Sequence, residues 1–254
     1  MASVQQIYET QEKTEDIIQT VGELKREGFG VIPPQQYRID IDDDFYPLWR
    51  QVEPYTMISL ERGYAVYKAV EYVVKNRVPG SFVECGVWKG GASMLMALSL
   101  RAFDGPLRRI YLYDTFEGMT EPGDEDRIAW NDEHVGQRWN RFTNWAVPKS
   151  EVMANFAEID YPLELILPIE GNVLRTLRRT KPDEIAILRL DTDWYESTLT
   201  ELRVLYPRLS RRGVLLIDDY GHFTGARKAV DQYFASGGPL LHRDDYTGRS
   251  AVKP

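Results

Sequence analysis

Phe82-Val83-Glu84-Cys85-Gly86-Val87-Trp88-Lys89-Gly90-Gly91 ends a short apolar strand on a carboxylate and opens a helix through a glycine-rich turn. In open α/β sheets, ligands lie beyond the carboxyl ends of the strands, where glycines let the backbone come close to them. The spacing is not G-x-G-x-x-G, which disfavours a nicotinamide dinucleotide. Glu84 at the strand end would also repel a pyrophosphate, whereas it suits a ligand that carries an ammonium group. A tight turn with no ligand could show the same glycines, so the other strand ends have to decide.

Working outward, short aliphatic runs alternate with segments of helical period. Strands are expected at residues 82–85, 109–113, 163–169, 185–190 and 214–217, with weaker ones at 240–242 and 250–253. Helices are expected at 64–75, 92–102, 151–156, 195–206 and 225–234. Apolar strands separated by helices imply a mainly parallel sheet covered by helices on both faces. Ile17, Val21 and Leu24 recur at helical spacing in a charged segment, so an N-terminal amphipathic helix is expected, broken by Gly28, Gly30, Pro33 and Pro34. Its apolar face could pack against another subunit to form a homo-oligomer. Residues 121–148 carry four tryptophans or phenylalanines with no clear period, as a lid or binding insertion would. Residues 1–254 therefore read as a single domain, with an N-terminal substrate-shaping region (1–54), a core (55–254) and a lid within that core.

Composition narrows the class. A net charge of −8 argues against a nucleic-acid partner, and 43% hydrophobic with 28% charged residues is ordinary for a soluble globular chain. The single cysteine, Cys85, precludes an internal disulfide framework and suits a reducing compartment. No apolar run approaches the ~20 residues of a membrane span, and the polar start lacks a signal-peptide core. A cytoplasmic protein without a membrane partner is expected.

The later strand ends carry the chemistry. Asp114, after Tyr111-Leu112-Tyr113, could accept hydrogen bonds from both hydroxyls of a ribose. Phe116 could cover a base, although an aromatic at this position is as often plain core. Gly171 and Asn172, after the third strand, could bracket the same base. A nucleoside with an amino-acid tail fits these positions, and S-adenosylmethionine is such a ligand. Asp191 and Asp193 end one strand, and Asp218 and Asp219 end the next. If those strands are neighbours, four carboxylates converge, and unless neutralised they would repel one another and be driven toward protonation. A divalent cation relieves this; all-oxygen ligands favour magnesium, manganese or calcium. Aspartates capping helices and turns remain the plainer account of Asp193 or Asp219 taken singly.

Residues 82–91, 113–118, 188–195 and 217–221 together resemble the macrocin O-methyltransferase family, metal-dependent enzymes that methylate sugar hydroxyls of glycosylated natural products. Thr56-Met57-Ile58-Ser59, with Arg62 following, is similar to that family's segment before the first strand. The resemblance implies the class I methyltransferase fold, a Rossmann-like seven-stranded sheet. It implies Asp191, Asp218 and Asp219 as magnesium ligands and Asp193 as general base. It also implies that Glu84, Gly86, Val87, Gly90, Gly91, Ser93, Asp114 and Thr115 hold S-adenosylmethionine, with Thr56 and Met57 closing over its methionine end. The acceptor would be a sugar-containing small molecule, either a nucleotide sugar or a glycosylated natural product. His222, beside the second aspartate pair, is a further candidate for a substrate contact or alternative base; Trp194 and Tyr195 read as packing or cofactor-covering groups. Two other readings are a catechol-type methyltransferase and a non-catalytic S-adenosylmethionine-binding scaffold.

Overall fold

The computed structural model describes residues 16–28, 30, 40–136 and 145–254. Expectations for the polar start, for Pro33 and Pro34, and for residues 137–144 of the insertion lie outside the described residues. Met1–Asp42 and Asp43–Pro254 form separate compact units. In the first, residues 16–26 are helical, and Ile17 and Ile18 are exposed.

The second unit begins with α1 (Phe45–Val52), followed by α2 (Leu60–Lys75). Ser59 caps α2 by accepting a hydrogen bond from the Arg62 N–H at 3.2 Å, and the helix ends before Pro79-Gly80. There follow β1 (Ser81–Cys85), α3 (Gly91–Ala102), β2 (Ile110–Asp114), α4 (Lys149–Ala157), β3 (Ile166–Glu170), α5 (Val173–Arg179), β4 (Ile185–Leu190), α6 (Tyr195–Leu205), β5 (Leu209–Ile217) and α7 (Thr224–Tyr233). A terminal pair, β6 (His242–Arg243) and β7 (Arg249–Val252), completes a sheet of order β3-β2-β1-β4-β5-β7-β6. β1 to β5 are mutually parallel, whereas β7 pairs antiparallel with both β5 and β6.

The expected seven-stranded, mainly parallel sheet is present, with local differences. β3 starts at Ile166 because Pro162 turns the chain and Leu163–Leu165 forms one 3-10 turn. β5 starts at Leu209, earlier than its aliphatic run. Its pairing with β4 jumps from Ile185↔Leu209 to Ile187↔Val214, so Arg211, Arg212 and Gly213 are taken up in an irregularity that a periodicity reading takes for a strand boundary. α1 and α5 were not anticipated. α1 buries Phe45, Trp49 and Val52, one stripe at i, i+4 and i+7 that its acidic approach, Asp40 to Asp44, obscures in the sequence.

Every residue of β4 is buried, as expected for a central strand covered on both faces. Val83, Cys85, Leu188, Leu190, Leu215 and Ile217 form one core with Leu202 and Leu205 of α6. A second aromatic core joins α1 to α2, where the Phe45 ring lies 5.8 Å from Trp49, 5.3 Å from Tyr64 and 5.4 Å from Tyr67. Chain order reverses at β1, whose neighbours β2 and β4 run off in opposite directions along the sheet, which opens a crevice beyond the strand ends. No described helix is long and apolar enough to cross a membrane.

Phe45 is fully buried, so Phe45→Ala is expected to destabilise the second unit by about 3–5 kcal/mol, seen as a lower urea midpoint at unchanged slope.

Candidate active site

The turn after β1 is set by close backbone packing. The Gly86 N–H donates to the Tyr113 carbonyl at 2.8 Å, and the Asp191 N–H donates to the Cys85 carbonyl at 2.8 Å, which fastens this turn to the ends of β2 and β4. Gly86 has φ 81°, and a Cβ there would collide with the Asp191 carbonyl. At Gly91 the Tyr55 carbonyl and the Thr56 side chain occupy the space a Cβ would need, so glycine lets the Thr56-Met57 segment lie against the start of α3.

Asp114 binds this turn from the side. Its Oδ2 accepts from the Val87 N–H at 2.6 Å and the Trp88 N–H at 3.3 Å, and its Oδ1 accepts from the Phe116 N–H at 2.8 Å. The Thr115 hydroxyl donates to the Gly118 carbonyl. Phe116 is buried in a left-handed conformation (φ 56°) and lines neither cavity described below. Gly90, Gly91 and Ser93 also lie behind the cavity walls, and Ser93 donates its hydroxyl to Glu84. Burial pushes the Glu84 carboxyl up to about 7, against the pull of Arg189 and the Ser93 hydrogen bond.

β4 and β5 are neighbours, so the two aspartate pairs do converge. Arg189, only 2% exposed, spans three strand ends: Nη1 donates to Glu84 Oε1 at 2.7 Å and to Asp191 Oδ2 at 2.6 Å, and Nη2 donates to Asp218 Oδ1 at 2.5 Å. Burial works against its charge, but Asp191, Asp218 and Glu84 outweigh it and hold the guanidinium above its ordinary range. Arg62 of α2 pairs with the other oxygen of Asp218, and its Nε lies 3.0 Å from Asp245. Asp193 and Asp219 pair with no basic side chain among the described residues. One oxygen each of Asp191, Asp193 and Asp219 lies within 4.8 Å of the other two. Burial, then mutual repulsion, pushes these carboxyls upward. Asp193 is held in a left-handed conformation at φ 66°.

Two cavities meet at these aspartates. The larger, about 790 Å³, is lined by Gly86, Asp114, Thr115, Gly171, Asn172, Thr192 and Trp194, among others. The smaller, about 230 Å³, is lined by Thr56, Arg62, Glu84, Asp218, Asp219, His222 and Tyr246, among others. Met57, Val87, Trp88, Trp145, Asp191 and Asp193 line both. His222 Nδ1 lies 2.9 Å from the Tyr246 hydroxyl, with the Trp130 ring edge-on at 4.7 Å; burial and nearby Arg62 lower its pKa.

Four contributors, Arg189, Arg62, Asp126 and Glu201, escaped the sequence reading, and a fifth, Trp194, was read there only as a packing or cofactor-covering group. Arg189 interrupts an otherwise apolar strand, and a charge in a strand buried on both faces signals carboxylate partners. Arg62 sat in a quoted motif without a role. Asp126, 1% exposed, accepts from the Tyr195 N–H at 2.8 Å and the Gly123 N–H at 2.7 Å, and so caps α6 from within the insertion. Trp194 donates its indole N–H to the Thr120 carbonyl at 2.8 Å and packs with Ile128, Val135 and Phe223, which seats the start of the insertion beside the aspartates. Glu201 of α6 is fully buried, and its Oε1 accepts from the Thr192 hydroxyl at 2.9 Å; burial pushes its carboxyl up to about 8.

A seven-stranded sheet of this order, with paired cavities at its topological switch point, defines a class I S-adenosylmethionine-dependent O-methyltransferase. Residues 37–238 match the family described as Macrocin-O-methyltransferase (TylF), and the chain belongs to it. It is 39% identical over 181 residues to demethyldecarbamoylnovobiocin O-methyltransferase of Streptomyces niveus, covering 71% of this chain and 68% of that protein. It is 38% identical over 183 residues to 8-demethyl-8-(2,3-dimethoxy-alpha-L-rhamnosyl)-tetracenomycin-C 4'-O-methyltransferase of Streptomyces olivaceus, covering 70% and 67% of the two chains. Among solved structures, the O-methyltransferase NovP superposes with a TM-score of 0.70 at 35% identity over 78% of this chain and 82% of that one.

Removing Arg189 would leave buried carboxylates without their counter-charge. Arg189→Met is therefore expected to cost about 3–5 kcal/mol in urea denaturation of the metal-free protein. A variant as stable as the parent would mean that the three carboxylates do not depend on this guanidinium.

Proposed function

We propose that the protein transfers the methyl group of S-adenosylmethionine to a sugar hydroxyl of a glycosylated small molecule, with magnesium or a similar hard divalent ion at the aspartates. The observation that carries this is the meeting of two cavities at Asp191 and Asp193. The larger has the volume and the polar contacts for a nucleoside with an amino-acid tail. In it, Asp114 faces the ribose and Gly171 and Asn172 bracket the base, while the methionine end passes Met57 toward Thr56 and Glu84, which line the smaller cavity. The acceptor sugar enters the part of the smaller cavity walled by His222, Tyr246 and the aspartates. The relative whose name specifies a rhamnosyl compound supports a glycosylated acceptor over a catechol. An intact, costly set of buried carboxylates disfavours a non-catalytic scaffold. The described part of the 121–148 insertion, seated on Trp194, would cover the cofactor as a lid.

The donor set fits a divalent ion: oxygen ligands only, converging from two adjacent strand ends, with more negative charge than Arg62 and Arg189 balance. We assign Asp191, Asp218 and Asp219 to hold it, Asp218 by giving up one of its contacts with Arg62 and Arg189, and Asp193, the third member of the converging set, to act as general base. When bound, the ion supplies polarisation of the acceptor hydroxyl, and the cofactor supplies the methyl group. Asp193 accepts the hydroxyl proton on a carboxylate oxygen as the new carbon–oxygen bond forms. Arg189 keeps Asp191 and Asp218 in register, and Arg62 anchors α2 to Asp218 and Asp245 at the wall of the acceptor cavity. Trp88, Trp145 and Met57 line the wall the two cavities share and exclude water from the reacting atoms.

Protein stripped with EDTA is expected to keep its S-adenosylmethionine affinity in calorimetry, lose turnover, and regain it with magnesium. Full activity in excess EDTA would remove the metal from the mechanism. A panel of glycosides, nucleotide sugars and catechols assayed by mass spectrometry identifies the acceptor class, and methylation confined to catechols would overturn the sugar reading.

Asp191→Asn is expected to weaken magnesium binding strongly, whereas Asp193→Asn should keep metal and cofactor affinity and lower kcat by ~10²–10⁴-fold. Metal titrations that include Asp218→Asn complete the test. If Asp193→Asn loses the ion and Asp218→Asn keeps it, those two residues exchange roles.

A further inference from the structure

Glu201 is a costly residue for its position. It lies in the second turn of α6, with no solvent exposure. Its Oε1 accepts the Thr192 hydroxyl; the Cys85 thiol, a weak donor, is near the carboxyl, but Oε2 is buried with no hydrogen bond of normal geometry. A leucine there would carry no such penalty, so packing alone does not account for a carboxyl at this place.

Its partner, Thr192, stands between Asp191 and Asp193 and is restrained at both ends. The Thr192 side chain is held by Glu201, and its carbonyl accepts from the Trp194 N–H at 2.7 Å and the Ser197 hydroxyl at 3.2 Å. The next residue, Asp193, has φ 66°, a left-handed conformation that residues with a Cβ keep only where their surroundings over-determine it. Asp193 carries its carboxylate to the wall between the two cavities.

We propose that Glu201 is a positioning residue: it grips the Thr192 hydroxyl from the core side and so holds the Asp191-Thr192-Asp193 turn in the left-handed form that aims Asp193 at the acceptor. The proposal rests on the reading of Asp193 as base. Burial pushes the Glu201 carboxyl upward, and toward the Thr192 hydroxyl it works as a hydrogen-bond acceptor. A glutamine supplies the same acceptor on the same stem; a leucine fills the space without it.

The test compares Glu201→Gln, Glu201→Leu, Thr192→Val and the Thr192→Val/Glu201→Leu double variant. It follows steady-state kinetics, S-adenosylmethionine affinity by calorimetry, and amide hydrogen exchange of the metal-free protein. Glu201→Leu and Thr192→Val are each expected to lower kcat about tenfold, the worth of one hydrogen bond, with acceptor KM and cofactor Kd changed less than about threefold. The double variant should be no slower than either single one, because both remove the same contact. Exchange should quicken about tenfold at the Trp194 amide, whose N–H donates to the Thr192 carbonyl, and stay unchanged in β1 and β4. Glu201→Gln should restore kcat to within about threefold of the parent.

An unchanged kcat in Glu201→Leu would overturn the proposal. So would losses that multiply in the double variant, or faster exchange across the whole sheet, which would mark Glu201 as a packing residue. Should Glu201→Leu not fold, Thr192→Val against Glu201→Gln carries the comparison, since Thr192 lines the larger cavity. If Asp193→Asn itself retains full turnover, the base assignment fails. The exchange data still decide whether Glu201 holds the turn, because they need no catalysis.

Discussion

A single guanidinium under the ends of β1, β4 and β5 makes the rest of the site possible. Arg189 reaches Glu84, Asp191 and Asp218 at once, one carboxylate from each strand end. Without it, Glu84 and Asp191 would lose their counter-charge and Asp218 would keep only Arg62, so the three acidic groups would repel one another where the strand spacing matters. The planar fork of arginine suits this task better than a lysine, because it presents several fixed donors to separate acceptors. The same contacts join the side of the pocket that would take the cofactor's amino-acid end to the side that would take the acceptor.

Compensation stops short of neutrality. Arg62 adds a second positive charge at Asp218, but it is shared with Asp245. Asp193 and Asp219 are left facing Asp191 with no basic partner among the described residues. Under the proposed function, this residual negative charge would give a divalent cation its reason to bind. Asp193 lines both cavities, and Asp219 lines the smaller one together with Arg62 and Arg189.

Backbone packing carries the rest of the precision. The Gly86 turn lies so close to the Asp191 carbonyl that a side chain is excluded, and Asp114 holds the amides of Val87 and Trp88. β1, β2 and β4 therefore meet through backbone contacts at the switch point and leave their side chains to line the cavities. Asp126 and Trp194 extend this framework into the insertion, which is fastened to the start of α6, the helix that follows the aspartate turn.

Much of this was legible in the sequence. Aliphatic runs ending in Glu84, Asp114, Asp191 and Asp218 determined the parallel sheet and the strand ends that carry the chemistry, because burial on both faces leaves apolar runs and ligands collect where those runs stop. Strand boundaries were blurred where turn chemistry or charge interrupted the pattern, at Pro162 and at Arg211-Arg212-Gly213, and at the short edge strand β6, where His242–Arg243 replaces the expected 240–242. What only the tertiary structure decided is who neutralises whom. Arg62 and Asp218 are 156 residues apart, and Arg189 and Glu84 are 105 apart, so no local pattern pairs them. Likewise, Phe116 faced the core rather than a cavity, and Asp126 became a helix cap for a segment 69 residues away. Periodicity records which face of an element is buried, whereas charge pairing depends on which elements the fold brings together, and that is set by the packing of the whole sheet.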